Sequence, residues 1–241
     1  MKALFRIVVL LCSLLLAGFI FVLFIFRDRR PRIYFAAEAG DTNLIAHYLA
    51  SGTNVNDLIM CYRFGPMELA PMLDIAAQNG QVDTVEFLLK KGANPNEADS
   101  WDYTPLLWVL GQNRNDVNAE TRVRLLKILL ENGADPNLRS SSGFWTPLIQ
   151  AADLGEVEFA KILLAAGADV TETNKEGSTP LHFASNAEIV KLLIAAGANP
   201  NARTKPSTGG ETGETPADSA LRFGHFDALK VLTNLPPLTN N

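Results

Sequence analysis

Cysteine, histidine and net positive charge are all scarce in this chain. Its two cysteines, Cys12 and Cys61, build neither a disulfide framework nor a four-thiolate zinc site. The three histidines, His47, His182 and His225, lie far apart, so none forms a spaced pair of the kind that metal and catalytic motifs use. The glycines at 209, 210 and 213 are not followed by the Lys-Ser/Thr that a phosphate loop needs, and no motif nominates a pair of carboxylates. These gaps predict a protein with no cofactor, no metal and no small-molecule substrate, and not an enzyme. Basic residues number 21 against 26 acidic ones. The first 32 residues hold six of the basic and one of the acidic, which leaves 15 against 25 and a net charge of −10 for the rest. Such a surface repels a phosphodiester backbone, so nucleic acid is excluded as a partner. A 47% hydrophobic content rules out a chain too polar to fold.

The apolar residues are unevenly spread. Ile7–Phe26 reads IVVLLCSLLLAGFIFVLFIF without one charge. Twenty residues of helix rise about 30 Å, the thickness of a bilayer's hydrocarbon core. Lys2 and Arg6 precede the run, and Arg27, Arg29, Arg30 and Arg32 follow it. A cleaved signal peptide has a shorter apolar stretch and a small-residue cleavage site, and this run has neither. The expectation is therefore a tail at 1–6, a single transmembrane helix at 7–26 that places the chain in a lipid bilayer, and a basic juxtamembrane linker at 27–32. More basic residues after the run than before it favour a cytoplasmic location for the remainder. The short Met-Lys start instead resembles anchors that leave the following part outside the cytoplasm, and both orientations stay open.

The remainder is repetitive. Five segments close alike, as LASGTNVN, LKKGANPN, LENGADPN, LAAGADVT and IAAGANPN, with glycines at 52, 92, 133, 167 and 197. Thr-Pro-Leu recurs at Thr104, Thr146 and Thr179, and Thr215-Pro216-Ala217 opens a sixth unit. These residues resemble the ankyrin repeat family, whose consensus runs close to T-P-L-H-x-A-A-x-x-G, then a leucine-rich stretch, then G-A-D-x-N. Thr179-Pro180-Leu181-His182-Phe183-Ala184 follows it best. The expected fold is all-α, a solenoid of about six helix-turn-helix units joined by hairpin-like fingers. The units fall at about 33–56, 70–96, 104–137, 146–171, 179–201 and 215–235, within a repeat domain over 33–235 and ahead of a tail at 236–241.

The residues support this reading without the resemblance. Threonine before proline is a helix start, because its hydroxyl accepts an orphan first-turn N–H and proline gives up a donor that was spare. Glycine after a leucine-rich stretch is a helix stop, since it adopts the left-handed cap without a Cβ penalty. Phe159, Ile162 and Leu163 share one helical face by their i, i+3, i+4 spacing, and Leu163 and Leu192 are expected between stacked helices. One such unit cannot bury both its helices, so neighbours must stack. Three departures stand out: an enlarged finger at 57–69, about eight extra residues in GQNRNDVNAE (111–120), and a shortened fifth unit after Ala184. His182 is expected to bond across the turn of its own unit.

In the ankyrin family, partners bind finger tips and exposed first-helix positions. The resemblance therefore implies a protein partner and, as contact residues, Gln78, Asn79, Trp101, Tyr103, Phe144, Trp145, Asp153, Lys175 and Glu176, with Ser100 and Ser178 beside them. The aromatic members either meet the partner or pack against neighbouring fingers. Only six residues separate the apolar run from the first unit, so the partner is expected near the membrane. The reading is a membrane-anchored interaction scaffold. The alternatives are an inhibitor or immunity-type protein acting on a membrane-active toxin or enzyme, and, further off, an enzyme with a site in 111–120 or 202–215.

Overall fold

The computed structural model describes residues 32–61, 68–111, 117–140, 145–206 and 212–235. Unit one is α1 (Arg32–Ala39) and α2 (Thr42–Ala50), followed by a hairpin of β1 (Leu58–Cys61) and β2 (Glu68–Pro71). Unit two is α3 (Met72–Gln78) and α4 (Val82–Lys90), and unit three is α5 (Pro105–Leu110) and α6 (Ala119–Glu131). Unit four is α7 (Pro147–Asp153) and α8 (Val157–Ala165). Unit five has a 3-10 turn (Pro180–Phe183) in place of its first helix, then α9 (Ala187–Ala195). Unit six is α10 (Pro216–Phe223) and α11 (Phe226–Thr233). The first elements pack on one another in chain order, and the second helices do the same in a parallel row. This is a two-layered, mostly helical solenoid, with the hairpin the one sheet among the described residues. The Ile7–Phe26 run lies outside the described residues, and among those described no helix is long and apolar enough to cross a membrane.

Local chemistry starts the Thr-Pro helices where the residues predict. The hydroxyls of Thr104 and Thr146 accept from the N–H groups of Leu107 and Ile149 at 3.3 and 3.2 Å. Thr215 and Asp218 cap each other, with the Thr215 N–H 2.9 Å from the Asp218 carboxylate. Proline opens α5, α7, the 3-10 turn and α10. At the other end Gly92 takes φ 88°, which lets the Ala93 N–H turn back onto the Leu88 carbonyl at 3.0 Å.

The core runs between the layers. Leu88, Leu125, Leu126, Leu129, Leu163 and Leu193 are fully buried, and Phe159 is the largest side chain among them. Leu192, expected between the helices, is only half-buried. Its neighbour Leu193 takes the inward place, because α9 presents Ile189, Val190 and Leu193 to the core at the same spacing from its N-cap as Phe159, Ala160 and Leu163 in α8. Small residues allow the first-element layer to close up: Ala76, Ala77, Ala151 and Ala152 are buried at the successive contacts.

Unit three absorbs its extra residues through one side chain. Arg122, in the first turn of α6, donates from Nε to the Val109 carbonyl at 2.9 Å and from Nη2 to the Leu110 and Gly111 carbonyls at 3.0 and 3.2 Å. These are last-turn acceptors that a six-residue helix leaves without intrahelical donors. The guanidinium also meets Glu156 at 3.1 Å and lies 4.7 Å from the centre of the Phe159 ring.

Candidate protein-binding surface

The finger turns show which expected contact residues are used internally. In the second finger Asp99 organises the loop. Its Oδ1 accepts from the N–H groups of Trp101 and Tyr103 at 2.8 and 3.0 Å, and its Oδ2 accepts from the Trp108 indole at 2.9 Å. Tyr103 turns inward onto the Trp108 ring, 5.0 Å between centroids, and burial together with the Asp99 charge raises its pKa. Trp101 is left at the tip, 51% exposed. The fourth finger repeats the design with Asn174 in place of Asp99, its Oδ1 accepting from Glu176 and Ser178 at 3.0 and 2.9 Å. The turn needs a positive φ just before its return. Gly177 supplies one at 80°, and Asp102 supplies the other at 61° without being glycine. By this alignment Tyr103 and Trp145 stand at finger bases rather than tips, with the Ser140 N–H donating to the Trp145 carbonyl as that of Asp99 does to Tyr103. Phe144 lies outside the described residues.

The remaining expected residues divide. Asn79 donates to the Ile75 carbonyl at 2.7 Å and so caps α3, and Gln78 is half-buried beside it. Asp153 is half-buried at the end of α7. Burial raises its pKa, against a smaller lowering by His225 from two units away. Lys175 and Glu176 are exposed at the fourth tip, but their backbones are engaged: the Lys175 carbonyl accepts from Lys205 Nζ and the Glu176 carbonyl from the Lys205 N–H, both at 2.7 Å.

The structure adds residues that the sequence reading missed. Trp145, Phe183 and Phe223 form a ladder across units four to six, with centroids 5.8 and 6.4 Å apart, and His225 follows at 5.9 Å. Phe223 is 47% exposed, and the Arg222 guanidinium sits 4.3 Å above its ring while pairing with Glu214 at 2.9 Å. Beside this ladder a cleft of about 540 Å³ opens between the fourth and fifth fingers, lined by Lys175, Glu176, Ser178, Thr204, Lys205 and Arg222. Nothing local signals the ladder: Phe183 holds the same place after its Thr-Pro as Trp108 and Gln150 do after theirs, and only stacking sets it against Trp145 and Phe223. His182, buried there, accepts the Thr179 N–H at Nδ1 (3.1 Å) and meets the Glu214 carbonyl through Nε2 (3.1 Å), so it joins units five and six as well as closing its own turn. Burial holds its pKa below the usual 6.5, against smaller opposing pulls led by the carbonyl contact with Glu214. Among the described residues no three His, Cys, Asp or Glu side chains are grouped to hold a metal.

A family model for three ankyrin repeats matches residues 117–204, and one for many ankyrin repeats matches 73–119 and 185–233. The chain belongs to the ankyrin repeat family. It is 31% identical to a putative ankyrin repeat protein of Fowlpox virus, over 68% of this chain and 47% of that one. It is also 37% identical to a glycerophosphocholine phosphodiesterase of Schizosaccharomyces pombe and 34% identical to the human transient receptor potential cation channel subfamily A member 1. Those matches cover 42% and 52% of this chain but 8% and 11% of the relatives. The chain thus spans less than half the length of each. An array shared by a phosphodiesterase and a channel carries a mode of recognition, which is protein–protein interaction, and no one activity.

Proposed function

We propose that this chain is a single-pass, membrane-anchored scaffold that binds a protein partner through the face formed by units four to six, and that it does so without catalysis. The observation that carries this reading is the ladder of Trp145, Phe183 and Phe223 beside the cleft at Lys175, Lys205 and Arg222. Aromatic rings with an arginine among them are the groups that dominate binding hot spots, because they bury large areas at little entropic cost. The anchor is the charge-free run Ile7–Phe26, and the basic residues after it favour a cytoplasmic face. A photo-cross-linking residue at Ser178, in the cleft, tests the reading in intact cells. It should capture a defined protein that Phe183→Ala with Phe223→Ala releases, and a probe at Lys161 on α8 should not capture it. Equal capture from both positions would remove the face from the argument.

A second reading, an inhibitor of a membrane-active toxin or enzyme, is supported by the short link: five residues separate Phe26 from α1, which holds the first units, and a partner that reaches them, close to the lipid. It requires the captured protein to lose activity on binding.

A further inference from the structure

The array has two edges, one formed by the fingers and one by the turns within units. Gln81, in the turn between α3 and α4, donates to the Glu38 carbonyl at 2.9 Å, so the end of α1 lies at the turn edge. The start of α1 at Arg32 is therefore on the finger edge, where α1 also packs against β1. The chain enters the repeat domain beside its first fingers. Arg27 to Pro31, fully extended, reach at most about 18 Å.

That same corner is apolar on its outside. Met60 pairs with Leu69 across the hairpin, and Leu58 stands two residues from Met60, so all three share a face. The opposite face places Ile59 and Ala70 in the core, while Leu58 and Leu69 remain 45% and 39% exposed. The second finger is fastened to this hairpin: the Ser100 N–H donates to the Leu69 carbonyl at 2.8 Å, and the Leu69 N–H donates to Ser100 Oγ at 3.1 Å. Trp101, the next residue, is the most exposed tryptophan described.

We propose that the first two fingers lie in the lipid–water interface, with Leu58, Leu69 and Trp101 against the bilayer. This rests on reading Ile7–Phe26 as a membrane span. Two further observations favour lipid over a protein cover. Tryptophan, with an apolar ring and one N–H, is the side chain best suited to headgroup depth. The fourth finger, built on the same turn, puts Lys175 and Glu176 where the second has Ser100 and Trp101. Between these two tips, the apolar one is the one beside the anchor. Asp57 and Asp102, exposed beside Leu58 and Trp101, hold the contact at headgroup depth, because a carboxylate is costly to bury in hydrocarbon. The solenoid then has a membrane end at units one and two and a partner end at units four to six.

The test uses the full chain reconstituted in phosphatidylcholine vesicles. Flotation with the vesicles comes first, and a chain that does not float sinks the span and this inference with it. In floating protein, tryptophan emission is compared between the native chain and Trp101→Phe, which leaves Trp108 and Trp145 as a common background. With lipids brominated near the headgroup, the Trp101-dependent emission should fall about twofold relative to unbrominated vesicles, as a ring at interface depth requires. Leu58→Glu with Leu69→Glu should abolish that quenching while the protein still floats. Floating protein whose Trp101 emission is untouched by bromine and open to acrylamide overturns the contact and leaves the anchor standing. Emission shielded from both quenchers means a protein cover, a second copy included, and equally overturns it.

Discussion

The junctions between the first four units and those between the last three are held together differently. At the first three junctions one asparagine does the same job each time. Asn56 donates to the Gly92 carbonyl at 3.3 Å and accepts from the Asn94 N–H at 2.8 Å. Asn96 repeats this with Gly133 and Asp135 at 2.9 and 2.8 Å, and Asn137 with Gly167 and Asp169 at 3.1 and 2.8 Å. At the fourth junction Thr171 occupies the position, and its hydroxyl turns back to Asp169 in its own unit at 2.7 Å. The link moves to the turn edge, where Ser185 Oγ donates to the Ala152 carbonyl at 3.1 Å and Asn186 to the Gly155 carbonyl at 3.2 Å, with an Arg139–Glu172 ion pair besides. At the fifth junction it lies among the fingers, through His182 and Lys205. A hydroxyl is too short and has too few donors to span two backbones as an amide does. The fourth and fifth junctions are thus held by contacts other than the asparagine clamp, and the Lys205 contact of the fifth lies in the cleft.

That contrast can be broken or sharpened by substitution, with stability read from denaturant unfolding of the full chain in non-ionic micelles. Leu163→Ala, in the unit common to both regions, sets the scale: its fully buried side chain predicts a loss of about 2–5 kcal/mol, lowering the unfolding midpoint more than any clamp variant. A midpoint unchanged by this substitution would contradict the stacked core. Asn96→Ala removes two inter-unit hydrogen bonds and should cost about 1–2 kcal/mol, with faster amide exchange at Asp135 and none at Asn199. His182 gives the late junctions a pH dependence just below neutrality. Its folded pKa lies below 6.5, so the unfolded chain takes up the proton first, and stability is complete above 6.5 and falls as the pH drops below it. Unfolding midpoints between pH 7.5 and 5.5 should flatten in His182→Gln. The smallest effect is constructive: Thr171→Asn should restore the clamp onto Gly197 and Asn199 and raise stability by up to about 1 kcal/mol, seen as slower exchange of the Asn199 amide.

The regular parts were legible in the residues because each rests on short-range chemistry. Thr146 caps α7 and Pro147 opens it within a span of four residues, and Gly92 ends α4 by its own φ. The heptad-like burial of Leu125, Leu126 and Leu129 needs only helical spacing. The binding surface was legible less well. Trp101 reads as an exposed tip and is one, but Tyr103 and Trp145 read the same way and instead stand at finger bases, one against Trp108 and the other against Phe183. A ring's direction depends on which carboxylate or neighbouring ring waits for it, and for Tyr103 that is Asp99 and Trp108. Arg122 reads as a surface charge at a helix start. Its side chain is 11% exposed, because α5 is too short to satisfy its own last carbonyls and a guanidinium can reach three of them. Nothing local announces that.

What the sequence determined alone is the unit and its repetition: where helices begin and end, which faces are apolar, and that a thin pair of helices must find a neighbour. Those follow from backbone conformation and hydrophobic spacing, both settled over a few residues. Only the tertiary structure decided which distant residues meet, since their partners lie 30 to 40 residues away: three rings from units four to six that line up, and a fourth junction held at the turn edge where asparagine gives way to threonine. Stacking brings such residues together through the rigid rise of the units between them, and that rise belongs to no single stretch of chain.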